Sequence, residues 1–172
     1  MKNSSDAIMT RSGCMFKVRP ARADDEAALA EFFKHVTPED VRFRFLTSVK
    51  VVGHERLLAM TDVEHHQTEN FLASVDNETE VIATAMRACD ADLKRGEVAI
   101  ATRSDFKHDG VSWELSKHVT GYAEFIDVKP IESIELRENH AAIELEREMG
   151  FTATTYPGDA TPMLVQRTLG TD

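Results

Sequence analysis

The chain has 172 residues, of which 42% are hydrophobic. This is enough for the hydrophobic core of one globular domain and too little for two domains of ordinary size. Its formal net charge of −10 argues against binding to a phosphate backbone. The charge suits a cationic substrate such as an amine, although solubility alone also explains it.

The sequence predicts one domain preceded by a short N-terminal tail. Residues 1–14 are mostly polar and lack the apolar core of a secretory signal, so we expect a disordered tail followed by a single domain over residues 15–172. No apolar run of about 18 residues predicts a membrane span. The two cysteines, Cys14 and Cys89, lack metal-ligand spacing and are too few for a disulfide framework, which favours a reducing cytoplasm.

The hydrophobic pattern predicts the elements of one α/β sheet protein. Apolar alternation indicates strands, and apolar residues spaced at i and i+4 indicate helices. Thr37 and Pro38 are typical of a helix start, and Gly150 is typical of a helix end. The order mixes hairpins with strand–helix–strand crossovers. In chain order we predict a strand at 16–19, helices beginning near 24, 37 and 54, strands at 71–75, 81–87 and 97–102, a helix after Gly110, a strand at 131–136, a helix at 138–149, and strands at 151–155 and 163–168.

The stretch FKHDGVSWEL lies between the strand at 97–102 and a helix whose apolar face includes Leu115, Val119 and Ile126. The first turn of a helix has unpaired N–H groups and the positive end of the helix dipole, so it can bind an anion. Gly110 would let a phosphate approach these groups, because it has no side chain. The alternative is an ordinary tight turn.

Three stretches resemble the GNAT superfamily of acyl-CoA-dependent N-acyltransferases. FKVRPARADDEAALAEFF, followed by TPEDVRFRFL, is similar to the opening elements of the branch related to bacterial protein-lysine acetyltransferases. EVAIATRSDFKHDGVSWEL resembles the central strand and the coenzyme turn, Q/R-x-x-G-x-G/A, with Lys107, Gly110 and Ser112 at its fixed positions. ENHAAIELEREMGF is similar to the late Asn-x-x-Ala…Gly-Phe element, beginning at Asn139. The resemblance implies a mixed, mostly antiparallel sheet flanked by helices, with a splayed central strand pair.

The resemblance also implies an N-acetyltransferase that moves an acetyl group from acetyl-CoA, its co-substrate, to a primary amine of a small molecule or a protein lysine. Such an amine, with a pKa of about 10.4, must lose a proton before it attacks. Glu97 matches the position of the catalytic glutamate that would accept this proton. The residues expected to bind the coenzyme are Ile100, Ala101, Thr102, Lys107, His108, Asp109, Gly110, Val111, Ser112 and Asn139.

Several polar residues have no settled role in the sequence. Glu146 occupies the position where many relatives have a tyrosine that protonates the departing thiolate, and as an anion it would repel that thiolate, so the general acid is unassigned. Arg42 and Arg44 are expected on a solvated face, with a substrate cleft as the alternative. The adjacent His65 and His66 are poorly spaced for one metal ion, and no metal is expected.

The sequence also allows two other functions. The departures from the family pattern at Asp109 and Glu146 favour a catalytically weak acyl-CoA sensor or regulatory module. An anion-binding interaction domain without a coenzyme is the third possibility. We expect neither nucleic acid nor membrane as a partner, and a homodimer stays open. The sequence does not identify the acceptor of the acetyl group.

Overall fold

A computed structural model provides the structure, which describes residues 5–75 and 77–170. The described residues contain eight strands and five α-helices, with short 3-10 helices at Ala23–Asp25 and Ser104–Phe106. The elements are β1 (Asp6–Met9), β2 (Met15–Pro20), α1 (Glu26–Lys34), α2 (Pro38–Phe45), α3 (His54–Thr61), β3 (Thr68–Val75), β4 (Glu80–Cys89), β5 (Gly96–Thr102), α4 (Val111–Phe125), β6 (Pro130–Leu136), α5 (His140–Glu148), β7 (Thr152–Thr155) and β8 (Pro162–Thr168).

All eight strands form one sheet in the order β1-β2-β3-β4-β5-β6-β8-β7. Every neighbouring pair is antiparallel except β5 and β6, which are parallel. The β5–β6 register holds only two residue pairs, Gly96 with Ile131 and Glu97 with Glu132. Beyond Glu97 the two strands separate. The predicted mixed sheet with a splayed central pair is therefore confirmed.

Helices cover both faces of the sheet, and strand alternation divides the core between them. Leu72 packs with α1 and α3 on one face, whereas its neighbours Phe71 and Ala73 pack with α4 on the other. Helix α4 contributes Val111, Leu115 and Val119 at helical spacing. This packing fixes α4 against β4 and β5, so that its first turn lies at the end of β5.

Helix α2 has a well-defined start beside β5. The side-chain oxygen of Thr37 accepts a hydrogen bond from the backbone N–H of Asp40 at 3.1 Å, and Pro38 occupies the first helical position. The helix ends at Phe45, because Leu46 has a left-handed backbone with φ of 59°. One helical turn after Asp40, α2 presents Arg44 to the same side of the sheet.

The prediction of a disordered tail over residues 1–14 is wrong where the structure describes it. Asp6–Met9 forms β1, which pairs with β2 from Asp6–Val18 to Met9–Met15. The polar composition misled the prediction, because pairing with β2 satisfies the backbone of β1 regardless of its side chains. Residues 1–4 of the predicted tail, and residues 171–172 of the predicted domain, lie outside the described residues. No helix among those described is long and apolar enough to cross a membrane.

Candidate active site

A cavity of about 230 Å³ opens where β5 and β6 separate. Strand β5 and strand β6 form two of its walls, and residues from α2, α4 and α5 complete it. Crevices where neighbouring strands part are common ligand sites in α/β sheets. Seven of the eleven predicted site residues line it: Glu97, Ile100, Ala101, Thr102, Lys107, Ser112 and Asn139.

Glu97 lines this cavity and belongs to the last residue pair before the strands separate. Its pKa is raised, chiefly by desolvation and then by repulsion from Glu132, its register partner on β6. The positive charge of Arg44 opposes this shift. A carboxylate with a raised pKa is a better proton acceptor than an ordinary surface glutamate, so the location suits a general base.

Helix α2 supplies two charged residues that the sequence left undecided. Arg44 lines the cavity rather than lying on a fully solvated face. Desolvation lowers the pKa of Arg44 to about 10, which leaves its guanidinium charged at neutral pH. Asp40, one turn earlier, forms an ion pair with Lys107, with 2.6 Å between Oδ2 and Nζ. Lys107, predicted to bind phosphate, therefore already pairs with a carboxylate that also lines the cavity.

The predicted coenzyme turn leads directly into α4. Gly110 is the N-cap of α4, with a left-handed φ of 81°. The hydroxyl groups of Thr102, at the end of β5, and Ser112, in the first turn of α4, are 2.8 Å apart and join the strand to the helix. The first N–H groups of α4 have no acceptor within the helix, so this end can bind an anion.

The remaining predicted coenzyme residues lie outside the cavity lining among the described residues. Val111 is fully buried in the core beneath α4. The charge of Asp109 helps raise the pKa of Cys14, after desolvation, so its carboxylate is near the N-terminal segment. The backbone carbonyl of Asp109 accepts a hydrogen bond of 2.9 Å from the hydroxyl of Ser12. His108 is exposed.

Gly110 is required for a reason that the sequence did not reveal. A Cβ atom at this position would lie 3.3 Å from the Cβ of Thr10, closer than most real contacts. The left-handed backbone adds a second requirement for glycine. The glycine thus accommodates both a backbone conformation and the close approach of the N-terminal segment.

Two half-buried carboxyl groups meet on the opposite wall of the cavity, between β6 and α5. The hydroxyl of Ser133 donates to both carboxyl oxygens of Glu146 at 2.9 Å. Glu146 is also hydrogen-bonded to Glu135, which accepts a further hydrogen bond of 3.1 Å from the side-chain amide of Asn139. Asn139, a predicted coenzyme ligand, thus uses one donor within the protein. We call Glu135 and Glu146 the carboxyl pair.

The carboxyl pair corrects the expectation that Glu146 is an anion. Desolvation, followed by repulsion from Glu135, raises the pKa of Glu146 to about 9. Two adjacent carboxyl groups without a cation partner do not both ionise readily, and one retains its proton at neutral pH. Glu146 is therefore a neutral acid that donates to Glu135, and it would not repel a thiolate.

Known proteins resemble this chain over most of its length. No protein-family model matches the chain. An acetyltransferase of Pseudomonas aeruginosa is 24% identical over 149 residues, which are 86% of this chain and 80% of that protein. The crystal structure of the GNAT domain of S. lividans PAT matches with a TM-score of 0.89 and 20% identity, over 96% of this chain and 97% of that one.

The chain has the GNAT fold. A GNAT superfamily phosphinothricin acetyltransferase from Sinorhizobium meliloti, solved in complex with AcCoA, also matches, with a TM-score of 0.71, 18% identity and coverage of 90% and 89% of the two chains. The GNAT-like fold predicted from the three sequence stretches is confirmed. Among the described residues, no cluster of three or more His, Cys, Asp or Glu side chains could hold a metal ion.

Proposed function

We propose that this protein is an acyl-CoA-dependent N-acetyltransferase that transfers the acetyl group of acetyl-CoA to a primary amine. One observation carries the proposal: the cavity between β5 and β6 is lined by a carboxyl group on each side, Glu97 on β5 and Glu146 on α5, and desolvation raises the pKa of both. Amide formation from an ammonium ion and a thioester needs both a proton acceptor and a proton donor. Two similar proteins support this chemistry. The Pseudomonas aeruginosa relative is described as an acetyltransferase, and the Sinorhizobium meliloti protein was solved in complex with AcCoA.

Glu97 takes the role of general base. It accepts one proton from the acceptor's ammonium group, and the neutral amine nitrogen then bonds to the acetyl carbonyl carbon. The tetrahedral intermediate loses its second nitrogen proton to solvent as it collapses to the amide. The pKa of Glu97, raised by desolvation and Glu132, brings it closer to the amine's and makes the transfer less unfavourable. Glu97 later releases the proton to solvent from its exposed position at the strand start.

Glu146 takes the role of general acid. As the carbon–sulfur bond breaks, Glu146 gives its proton to the sulfur, and the product leaves as a thiol. The pKa of Glu146, about 9, is close to that of an ordinary thiol, about 8.5, so the proton transfer is nearly balanced. The hydroxyl of Ser133 hydrogen-bonds to the carboxylate that remains, until solvent restores the proton.

The coenzyme would be held by β5 and the first turn of α4. The separation of β5 from β6 leaves backbone groups around Ile100 and Thr102 without a partner on the β6 side. Ser112 and the N–H groups of its helix turn would receive the phosphates, with Lys107 as the neighbouring cation. A small-molecule amine and a protein lysine are both compatible acceptors at this level, the latter being the branch suggested by the sequence resemblance.

Turnover with a base-deficient variant tests the proposal. Acetyl-CoA and a panel of primary amines are incubated with the protein, and free CoA is measured with a thiol reagent. Glu97→Gln keeps the size of the side chain but removes the proton acceptor, so transfer should fall by about 10²–10⁴-fold. Acetyl-CoA affinity should change little, and a higher pH should partly restore the rate.

The same assay separates an enzyme from a coenzyme sensor. Acetyl-CoA that raises the melting temperature, while no amine in the panel releases CoA, would support the sensor or regulatory module instead. Unchanged turnover in Glu97→Gln would remove Glu97 from the mechanism. Glu124→Gln, an exposed substitution near the end of α4, serves as the matched control and should behave like the wild type.

A further inference from the structure

Arg44 is a charged cavity residue that lacks a charged partner in the structure. Its Nε atom is buried and makes no hydrogen bond. One terminal nitrogen donates to the sulfur of Met86 at 3.4 Å, which is a weak acceptor, and the guanidinium lies 5.0 Å from the ring centre of Phe45. Over residues 5–75 and 77–170, no carboxylate lies within ion-pair distance of it.

This arrangement is unfavourable for the protein alone. A guanidinium has five N–H donors in a planar fork that matches a carboxylate, and water solvates it poorly when it is half-buried. Desolvation lowers the pKa of Arg44, but the charge persists at neutral pH. Removing a charge from water without a partner costs free energy, and a ligand of opposite charge would offset that cost.

The negative charge that acts on Arg44 belongs to Glu97. Glu97 and Arg44 each shift the other's pKa through electrostatic attraction, yet they form no ion pair. Glu132, beside Glu97, adds a second carboxylate on the same side. The cavity therefore presents a cationic group on α2 and an anionic group on β5 and β6, with space between them.

Coenzyme phosphates are a poor match for Arg44. The ion pair between Asp40 and Lys107 places the Asp40 end of α2 beside the coenzyme turn. Arg44 is one helical turn, about 6 Å, further along α2. Glu97, whose charge acts on Arg44 without forming an ion pair, is at the opposite end of β5 from that turn. Arg44 thus lies on the acceptor side of the cavity.

We propose that the acceptor is an amine that also carries a carboxylate close to its amino group, as a free amino acid does, and that Arg44 binds this carboxylate. The ammonium group then faces Glu97 and Glu132. This inference rests on the proposed function and narrows the acceptor to a small zwitterion. A side-chain lysine within a protein has no carboxylate attached near its amine and would leave Arg44 unpaired.

The test compares amines that differ only in the carboxylate. Free amino acids are paired with their decarboxylated amines, for example phenylalanine with 2-phenylethylamine and leucine with isoamylamine, and release of CoA is measured for each. The wild type should prefer the amino acid in at least one pair. Arg44→Met should raise the KM for that amino acid by about 10–150-fold, which corresponds to a charged hydrogen bond of about 1.5–3 kcal/mol. The matched decarboxylated amine should change by less than about threefold, because it never used the guanidinium.

Two further variants separate substrate binding from folding. Arg42→Met changes a neighbouring arginine of α2 that is not part of the cavity lining, and it should leave both KM values unchanged. Arg44→Lys keeps the charge but not the planar fork, so it should restore part of the lost affinity. An equal loss for both members of a pair in Arg44→Met would show that Arg44 serves Glu97 instead and would overturn the inference.

Binding measurements distinguish a failure of this inference from a failure of the proposed function. Amino acids should raise the melting temperature in the presence of CoA, and Arg44→Met should abolish that rise. If amino acids stabilise the wild type but not Arg44→Met, and no CoA is released, the proposed transferase activity would be refuted and the amino-acid binding site would be supported. A wild-type preference for decarboxylated amines or lysine peptides, or the absence of both turnover and stabilisation with amino acids, would refute the zwitterion site.

Discussion

Replacing Glu146 by glutamine should separate its chemical role from its structural one. The substitution keeps the shape of the side chain, its oxygen can still accept from Ser133, and its amide can donate to Glu135. Glutamine has no proton to give to a departing thiolate. The maximal rate should therefore fall by about 10²–10⁴-fold, as for loss of a positioned acid.

The pH dependence gives a sharper signature than the rate alone. In the wild type the rate should rise as Glu97 loses its proton, at a pH above the ordinary glutamate range because its pKa is raised. The rate should fall again near pH 9, as Glu146 ionises and can no longer donate. In Glu146→Gln the fall near pH 9 should disappear, while the acidic limb stays.

Glu146→Gln should be more stable than the wild type, although its rate is lower. The pKa of Glu146 rises from 4.5 to about 9 on folding, so the native state binds more protons than the unfolded state between these values, and stability falls as the pH rises through this window. At pH 7 this corresponds to at most about 3 kcal/mol, and partial exposure reduces it to about 1–2 kcal/mol. Glutamine removes this term, so the melting temperature at pH 7 should rise by about 2–8 °C.

The assay combines pH–rate profiles with melting curves for the wild type, Glu146→Gln and the control Glu144→Gln, which changes an exposed residue of the same helix. The control should match the wild type in both measurements. A Glu146→Gln variant that keeps the wild-type rate and its fall near pH 9 would refute the role of general acid. A variant that is both inactive and less stable would indicate that the carboxyl pair supports the fold.

Two further substitutions test the coenzyme turn. Asp40→Asn should release Lys107 from its 2.6 Å ion pair and tighten acetyl-CoA binding by about 2–5-fold in calorimetry at low salt, whereas unchanged affinity would mean that Lys107 does not reach the phosphates. Gly110→Ala should lower stability by about 1–3 kcal/mol, because it combines a φ of 81° with a close contact to Thr10. Gly121→Ala, in the same helix with open space around it, should instead stabilise the protein by up to about 1 kcal/mol, and equal melting shifts in both variants would contradict this reasoning.

Local pattern predicted most of the fold because the signals were strong and close together in sequence. Apolar spacing in α4 and the cap at Thr37 depend on neighbours within a few residues, and both predictions held. Strand β1 was missed because four residues with one strongly apolar pair carry little periodicity, and only pairing with β2 defines it. The splayed strands followed from the family resemblance rather than from any pattern in β5 or β6.

The chemistry of the cavity depended on contacts between residues distant in sequence. The protonation of Glu146 is set by burial and by Glu135 on another element, so a single glutamate in the sequence could not reveal it. The location of Arg44 depended on which face of α2 turned toward β5. Glu97 was predicted because it opens a strand at a position matched by the family, although its catalytic role remains a prediction.

The N-terminal hairpin has a practical consequence for handling the protein. Strand β1 covers the edge of β2, and its removal would leave a row of unpaired backbone groups that can recruit another chain. Exposed Met15 already lies on that edge. A variant shortened to begin near Cys14 should therefore aggregate more readily than the full chain. Purification tags and fusion partners are better placed at the other terminus, where they leave the β1–β2 pairing undisturbed.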